Sequence, residues 1–387
     1  MRGLRGRQGF KRVDALMGGL LCRLTPRPGR IGQKEESPRT IVISKLAAMG
    51  DTILLLPHLR LLREAFPNAR MIALASSVNR GVFDLWGGMD RIVEWSPAAT
   101  LKAVWEIRRE KADTAVDFEQ WTHVTTLVLA WAGVPRRIGF ATAGFGRGAL
   151  YTDPVSHDGR VHEGEMFGRL LAPLGIQPAA GPPRVSIPLE RRAAIGARIS
   201  AAGLRPGDPI VVIHPGCGAH GWQREWPAAR YAGVIGVLAD TRSCSVVITG
   251  SAGERSLAEE VAALCRTRSW VAAGELSLLD LAALVAEAGV VICGNTGIVH
   301  LSEAVGTPAV AIHGPTDPVR WGPRDPRSRT IKGSLPCSPC LTLGFEYACA
   351  GRQCMEAVGT REVAAAADEL IGLARTASRT LSAGMPC

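Results

Sequence analysis

Aromatic side chains are scarce in this 387-residue chain, at 5% of the total, and only three of them are tyrosine. The hydrophobic content of 47% is therefore mostly aliphatic, and it suffices for two cores of ordinary domain size. No apolar run reaches the roughly 18 residues of a membrane-crossing helix. No repeat of short fixed period is present, which excludes solenoids. The ten cysteines include six scattered ones, so no secreted disulfide framework is indicated. Charge is thin over most of the chain. Residues 1–39 hold ten Lys/Arg and three acids, or +7, which leaves only +3 of the formal +10 for all the rest. A near-neutral body excludes a nucleic-acid binder with a basic face. The basic end suits an anionic surface instead.

That end carries a pattern. Phe10, Val13, Leu16, Met17, Leu20, Leu21 and Leu24 fall at helical spacing, with Lys11, Arg12 and Arg23 off the stripe. The run 13–24 mimics a signal peptide, but it contains Asp14 and Arg23 and lacks a small-residue cleavage site. We read it as an uncleaved amphipathic helix of a cytoplasmic protein. It either packs on the protein's own body or lies peripherally on the inner face of a membrane.

From residue 40 strands and helices alternate. Strands are expected at 40–44, 70–75, 91–94 and 113–118, with helices between them; 135–162 is loop-rich, and a helix follows at 163–174. The Pro/Gly-rich stretch 175–188 marks a boundary. The rhythm restarts with strands at 210–214, 245–249, 269–272, 290–293 and 309–313, an irregular stretch at 314–358, a helix at 360–376 and a loose tail. The chain thus reads as a basic segment (1–39), a Rossmann-like acceptor domain (40–180), a Rossmann-like donor domain (181–358) and a terminal helix with its tail (359–387). The fold class is α/β, with parallel sheets covered on both faces and a cleft between two domains. Ligands of such sheets bind beyond the carboxyl ends of the strands. Motifs placed there carry the functional reading.

Five motifs lie at those ends. Ser44–Thr52 (SKLAAMGDT) joins the first strand to a helix. Gly50 allows a tight turn, and Asp51 either caps the helix or serves as a general base. His214–Pro227 (HPGCGAHGWQREWP) holds Gly216-x-Gly218-x-x-Gly221. It fails as a dinucleotide fingerprint, because no helix begins inside the glycines and no acid ends the next strand. A glycine loop with Arg224 nearby suits a diphosphate. Gly250–Glu254 ends in an acid that either favours a helix start or accepts hydrogen bonds from a ribose. Cys293–His300 (CGNTGIVH) opens a helix with N–H groups near Thr296 and Gly297, an anion site or simply a capped helix. His313–Pro323 (HGPTDPVRWGP) is a rigid loop.

In order and spacing these motifs resemble the heptosyltransferases, glycosyltransferase family 9, over about residues 40–375. The resemblance implies the type B glycosyltransferase fold and inverting transfer of a sugar, typically heptose from ADP-heptose, to the lipopolysaccharide core or another lipid-linked acceptor at the inner membrane. It implies Asp51 as general base, with Lys45 and Gly50 beside the acceptor. Gly216, Arg224, Glu254, Asn295, Thr296, Gly297 and His300 fall to the donor. Two positions depart from the family: it usually has Lys where Arg224 stands and Asp where Asn295 stands. The Asp-x-Asp that holds a metal in the other large glycosyltransferase fold is missing, so catalysis is expected to need no cofactor. Cys337, Cys340, Cys349 and Cys354, at intervals compatible with tetrahedral zinc, either hold a structural zinc or are thiols or a disulfide. Two other readings share the fold: a nucleotide-sugar epimerase, and a weakly active homologue that only binds sugar nucleotides.

Overall fold

The computed structural model describes residues 8–29, 37–179, 181–205, 207–218, 221–341 and 349–383. Of the basic N-terminal residues, Arg2, Arg5, Arg7, Arg30 and Lys34 lie outside these, as do Ala219 and His220 of the second motif. The chain divides into two compact units between Pro183 and Arg184.

The first unit is built on a six-stranded sheet in the order β3-β2-β1-β4-β5-β6. The strands are β1 (Thr40–Ser44), β2 (Arg70–Ala75), β3 (Arg91–Glu94), β4 (Thr114–Asp117), β5 (Arg136–Phe140) and β6 (Asp153–Val155), all parallel. The second repeats the same order with β7 (Ile210–His214), β8 (Ser245–Ile248), β9 (Ser269–Val271), β10 (Ala288–Gly294), β11 (Ala309–His313) and β12 (Arg329–Lys332), arranged β12-β11-β10-β7-β8-β9. Both are thus the 3-2-1-4-5-6 order of a Rossmann sheet.

Why these segments become parallel strands is visible in their burial. β2 and β11 are buried along nearly their whole length, as sheets covered on both faces require. Successive residues serve opposite cores. Val211 and Ile213 join Trp226, Tyr231 and Ile292 on one side. Val212 joins Val247, Val291 and Ala309 on the other. Each such side chain contributes about 1.5–3 kcal/mol by leaving water.

Several expectations need correcting. Two strands, β5 and β6, cross the stretch expected to be loop-rich. The misleading residue is Gly139, which sits inside β5 because a Cβ there would come within 2.3 Å of the Tyr151 ring. β12 falls in the stretch expected to be irregular; its one buried apolar side chain, Ile331, gives little signal. A helix at Leu189–Ala201 precedes β7, and the last helix runs from Thr360 to Ala383.

The N-terminal helix docks on the first unit by a row other than its apolar stripe. It runs as Gln8–Val13, a π-turn at Asp14–Gly18 and Gly19–Leu24. The row that meets the first unit is Asp14, Gly18 and Cys22, all buried. Asp14 accepts from His123 N (3.0 Å), Val124 N (3.2 Å) and Thr122 Oγ1 (3.1 Å), with His123 Nδ1 at 3.0 Å, and so caps the helix His123–Trp131 from outside. Cys22 packs on Leu127 and Leu150. Most of the apolar stripe points outward: Leu16 is 76% exposed, Leu24 71% and Val13 59%.

One buried ion pair joins the sheet to its loops. At the end of β4, Asp117 meets Arg147 at 2.7 Å with neither side chain accessible to solvent. Asp117 also accepts from Ser44 at the end of β1 (2.7 Å), Thr125 (2.8 Å) and Tyr151 (2.7 Å), while Arg147 donates to the Glu119 carbonyl at 2.6 Å. Arg147→Met strands the Asp117 charge and should cost about 3–5 kcal/mol in chemical denaturation. A loss below about 1 kcal/mol would remove the pair from this structural role.

Candidate active site

Two clusters form, one at the strand ends of each unit. In the first, the helix Met49–Ala65 begins right after β1, and Asp51 lies in its first turn, where the helix dipole favours a carboxylate. The cap residue is Ala48, so Asp51 is not the N-cap. Lys45 is wholly buried. Its ammonium lies 3.5 Å from Asp51 Oδ2 and 3.6 Å from Glu119 Oε2, and donates to Gln120 Oε1 (2.8 Å) and the Phe118 carbonyl (3.3 Å). A buried ammonium needs this many partners to persist. Glu119 Oε1 accepts from Leu46 N and Ala47 N, which fixes the turn that carries Lys45. Gln120 Nε2 donates to Asp51 Oδ2 (3.3 Å) and Glu163 Oε1 (3.1 Å), and His157 Nε2 lies 2.9 Å from Glu163 Oε1.

Sequence reasoning missed Glu119, Gln120, Glu163 and His157. The first two directly follow β4, where the strand-end rule should have flagged them. Nothing marked His157 or Glu163, because the sheet that brings them in includes the two unpredicted strands.

In the second unit Arg224 joins two motifs. It donates to the Cys217 carbonyl (3.0 Å) in the glycine loop and to the Asn295 carbonyl (3.1 Å) before the helix Gly297–Val305. The tightness is steric: a Cβ on Gly294 would lie 3.0 Å from the Arg224 carbonyl. Thr296 is the N-cap of that helix, yet its side chain makes no capping bond, and its buried Oγ1 has no hydrogen-bond partner. Glu254 holds the glycine loop from below: its carboxylate accepts from Gly218 N (2.7 Å) and from Ser251 N and Oγ (both 2.7 Å). A Cβ on Gly216 would come within 2.2 Å of that carboxylate. His300 is buried against Glu303 (3.3 Å), which in turn binds the Arg324 and Asp325 amides. Trp226 anchors the loop, packing edge-on against Tyr231 and donating to the Val358 carbonyl.

Among the described residues, no group of three or more His, Cys, Asp or Glu side chains could hold a metal ion. Cys337, Cys340, Cys349 and Cys354 are free thiols, and burial pushes the Cys354 thiol up.

The profile of glycosyltransferase family 9 (heptosyltransferase) matches residues 101–349. The chain belongs to this family. It is a glycosyltransferase, 26% identical over 289 residues to lipopolysaccharide heptosyltransferase 3 of Escherichia coli, a match covering 71% of this chain and 83% of that one. It is 32% identical over 155 residues to lipopolysaccharide heptosyltransferase 1 of Pseudomonas aeruginosa, over 39% of this chain and 41% of that one. Its fold is like that of a Veillonella parvula family 9 glycosyltransferase (TM-score 0.70, 21% identity, 86% of this chain and 97% of that one). It is also like E. coli ADP-heptose lps heptosyltransferase II (TM-score 0.68, 22% identity, 86% and 98%).

The glycosyltransferase's Asn295 has a local cause. Its Nδ2 donates to the Trp321 carbonyl (2.9 Å) and faces His313 Nε2 at 3.4 Å. Burial pushes His313 down to about 4, so the ring is neutral at pH 7. With Nε2 facing a donor, the ring proton sits on Nδ1, toward Thr316 Oγ1 (3.1 Å). A carboxylate at 295 would set two acceptors against it. Asn295→Asp should therefore cost about 1–3 kcal/mol. The loss should shrink as pH falls, since a proton on His313 Nε2 turns an acceptor into a donor. Thermal melts at several pH values check this, and an equally stable Asp variant would refute it.

Proposed function

We propose that this glycosyltransferase moves heptose from ADP-heptose to the lipopolysaccharide core, with inversion and without a metal. The observation that carries the reading is Arg224, a cation fixed between a glycine loop and a helix N-terminus. Such an arrangement suits a diphosphate and can neutralise the charge that develops as ADP leaves. The names of the relatives, lipopolysaccharide heptosyltransferases, support the donor and acceptor classes. In this reading Asp51 takes the proton of the acceptor hydroxyl as its oxygen attacks the anomeric carbon. The bond from that carbon to ADP breaks, and ADP keeps the electron pair. Gly216, Thr296 and Gly297 line the donor's phosphates, Glu254 positions the loop that receives them, and Asn295 and His300 hold the helix that points at them. Gly50 gives the acceptor room.

Assays with ADP-heptose and a core acceptor test this. Asp51→Asn should lower turnover by about 10²-fold or more with donor binding nearly intact. Arg224→Ala should weaken donor binding about ten- to a hundredfold, and EDTA should not abolish transfer. Turnover unchanged by Asp51→Asn would refute the base assignment, and strict dependence on magnesium or manganese would refute the metal-free scheme. A changed sugar released without any acceptor would point to the epimerase reading.

We further propose peripheral attachment to the inner face of the inner membrane through the N-terminal helix. No helix among the described residues is long and apolar enough to cross a membrane. Val13, Leu16, Met17, Leu20 and Leu24 are each more than half exposed, and Arg12, Arg23 and Arg27 lie exposed around them. Basic residues near an anionic surface contribute roughly 1 kcal/mol each, and the apolar face adds burial in the headgroup region. The full chain should sediment with phosphatidylethanolamine–phosphatidylglycerol vesicles at low salt and release at high salt. Leu16→Glu with Leu20→Glu should stay in solution, and equal sedimentation of the two proteins would leave the attachment unsupported.

A further inference from the structure

The carboxylate assigned as base does not act in open solvent. Asp51 is 5% exposed, and Lys45 and Gln120 are fully buried. Gln120 has one orientation available: its Oε1 accepts from Lys45 Nζ, so its NH2 must face the acids, Asp51 at 3.3 Å and Glu163 at 3.1 Å. The Lys45 ammonium in turn is kept in place by the Phe118 carbonyl, Glu119 and the Phe167 ring, 5.4 Å from Nζ to centroid. One cation and one amide thus converge on the same oxygen of Asp51.

We propose that Lys45 and Gln120 are positioning residues that keep Asp51 ionised and aimed during sugar transfer. The inference rests on the reading of Asp51 as the base. An adjacent cation and a hydrogen-bond donor both favour the charged carboxylate, whereas burial and neighbouring carboxylates favour the protonated one. The groups that face this cluster come from five segments: Lys45 after β1, Glu119 after β4, the buried Arg147 after β5, which interacts with Glu119, Glu163 in the helix Glu163–Arg169, and His157 after β6, bonded to Glu163. Asp51 and Glu119 share the one lysine, so removing its charge removes the nearest cation that favours a deprotonated Asp51. A base already carrying a proton cannot take another, and the loss appears at low pH first.

The test is the pH profile of kcat/KM for sugar transfer. Lys45→Met removes the cation, and the acid limb should move up by about one unit or more, with turnover partly restored at alkaline pH. Gln120→Glu is nearly isosteric and puts a carboxylate where the amide donor stood. Its acid limb should move up as well, because it and Asp51 then compete for one proton, while ADP affinity stays as in the wild type. The Glu variant keeps the test informative if Lys45→Met does not fold. Full turnover in Asp51→Asn would sink the base assignment itself. An inactive Asp51→Asn together with a Gln120→Glu profile that superposes on the wild type would overturn the positioning proposal alone.

Discussion

The Asp117–Arg147 pair is the constraint on which the first unit's site depends. Removing two charges from water is expensive, and the pair is tolerable only because hydrogen bonds fill out the coordination of both ends. Asp117 receives Ser44 from β1, Thr125 from the following helix and Tyr151 from beyond β5. Arg147 reaches the Glu119 carbonyl. The pair therefore fixes the strand end from which Lys45 emerges and the backbone of the segment that carries Glu119 and Gln120. Weakening it would leave β1 and β4 in the sheet but free their loops to drift, and Asp51 would lose its two partners by a route that touches neither.

The two units share one sheet order and use its strand ends for opposite charges. The first gathers carboxylates around a single buried ammonium. The second gathers backbone N–H groups and a guanidinium, and its acids Glu254 and Glu303 hold the loops themselves. That division suits a reaction in which one partner must lose a proton while the other departs with negative charge. It also explains why Arg in place of the family's usual Lys is accommodated at 224. Two separate carbonyls, on Cys217 and Asn295, are held at once by the two arms of one planar group.

Legibility in the sequence tracked the strength of local patterns. β1, β2, β7, β8 and β11 are short apolar runs with a turn signal behind each, and both their place and their parallel character could be read. β5 could not, because Gly139 serves the Tyr151 ring and looks like loop composition. β12 is an edge strand with alternating burial and offers one apolar residue inward. Among the site residues, those inside glycine-bearing motifs were visible and Gln120 was within reach of the strand-end rule, whereas Glu163 acts through contacts across the fold that no spacing encodes. For the N-terminal helix the sequence left the docked face open. Apolar periodicity located the helix, but its docking is polar, through Asp14 and a glycine whose Cβ would strike His123 at 2.7 Å.

That polar docking bears on how the chain is made. Asp14 and its partner amide on His123 are 109 residues apart. At ribosomal speeds of about 5–20 residues per second, some 5–20 s separate the synthesis of the helix from that of the residues it caps. During that interval the helix has no site on its own protein, and its aliphatic row is already outward. The helix thus gains its docking site on this chain only after residues 122–124 have been made.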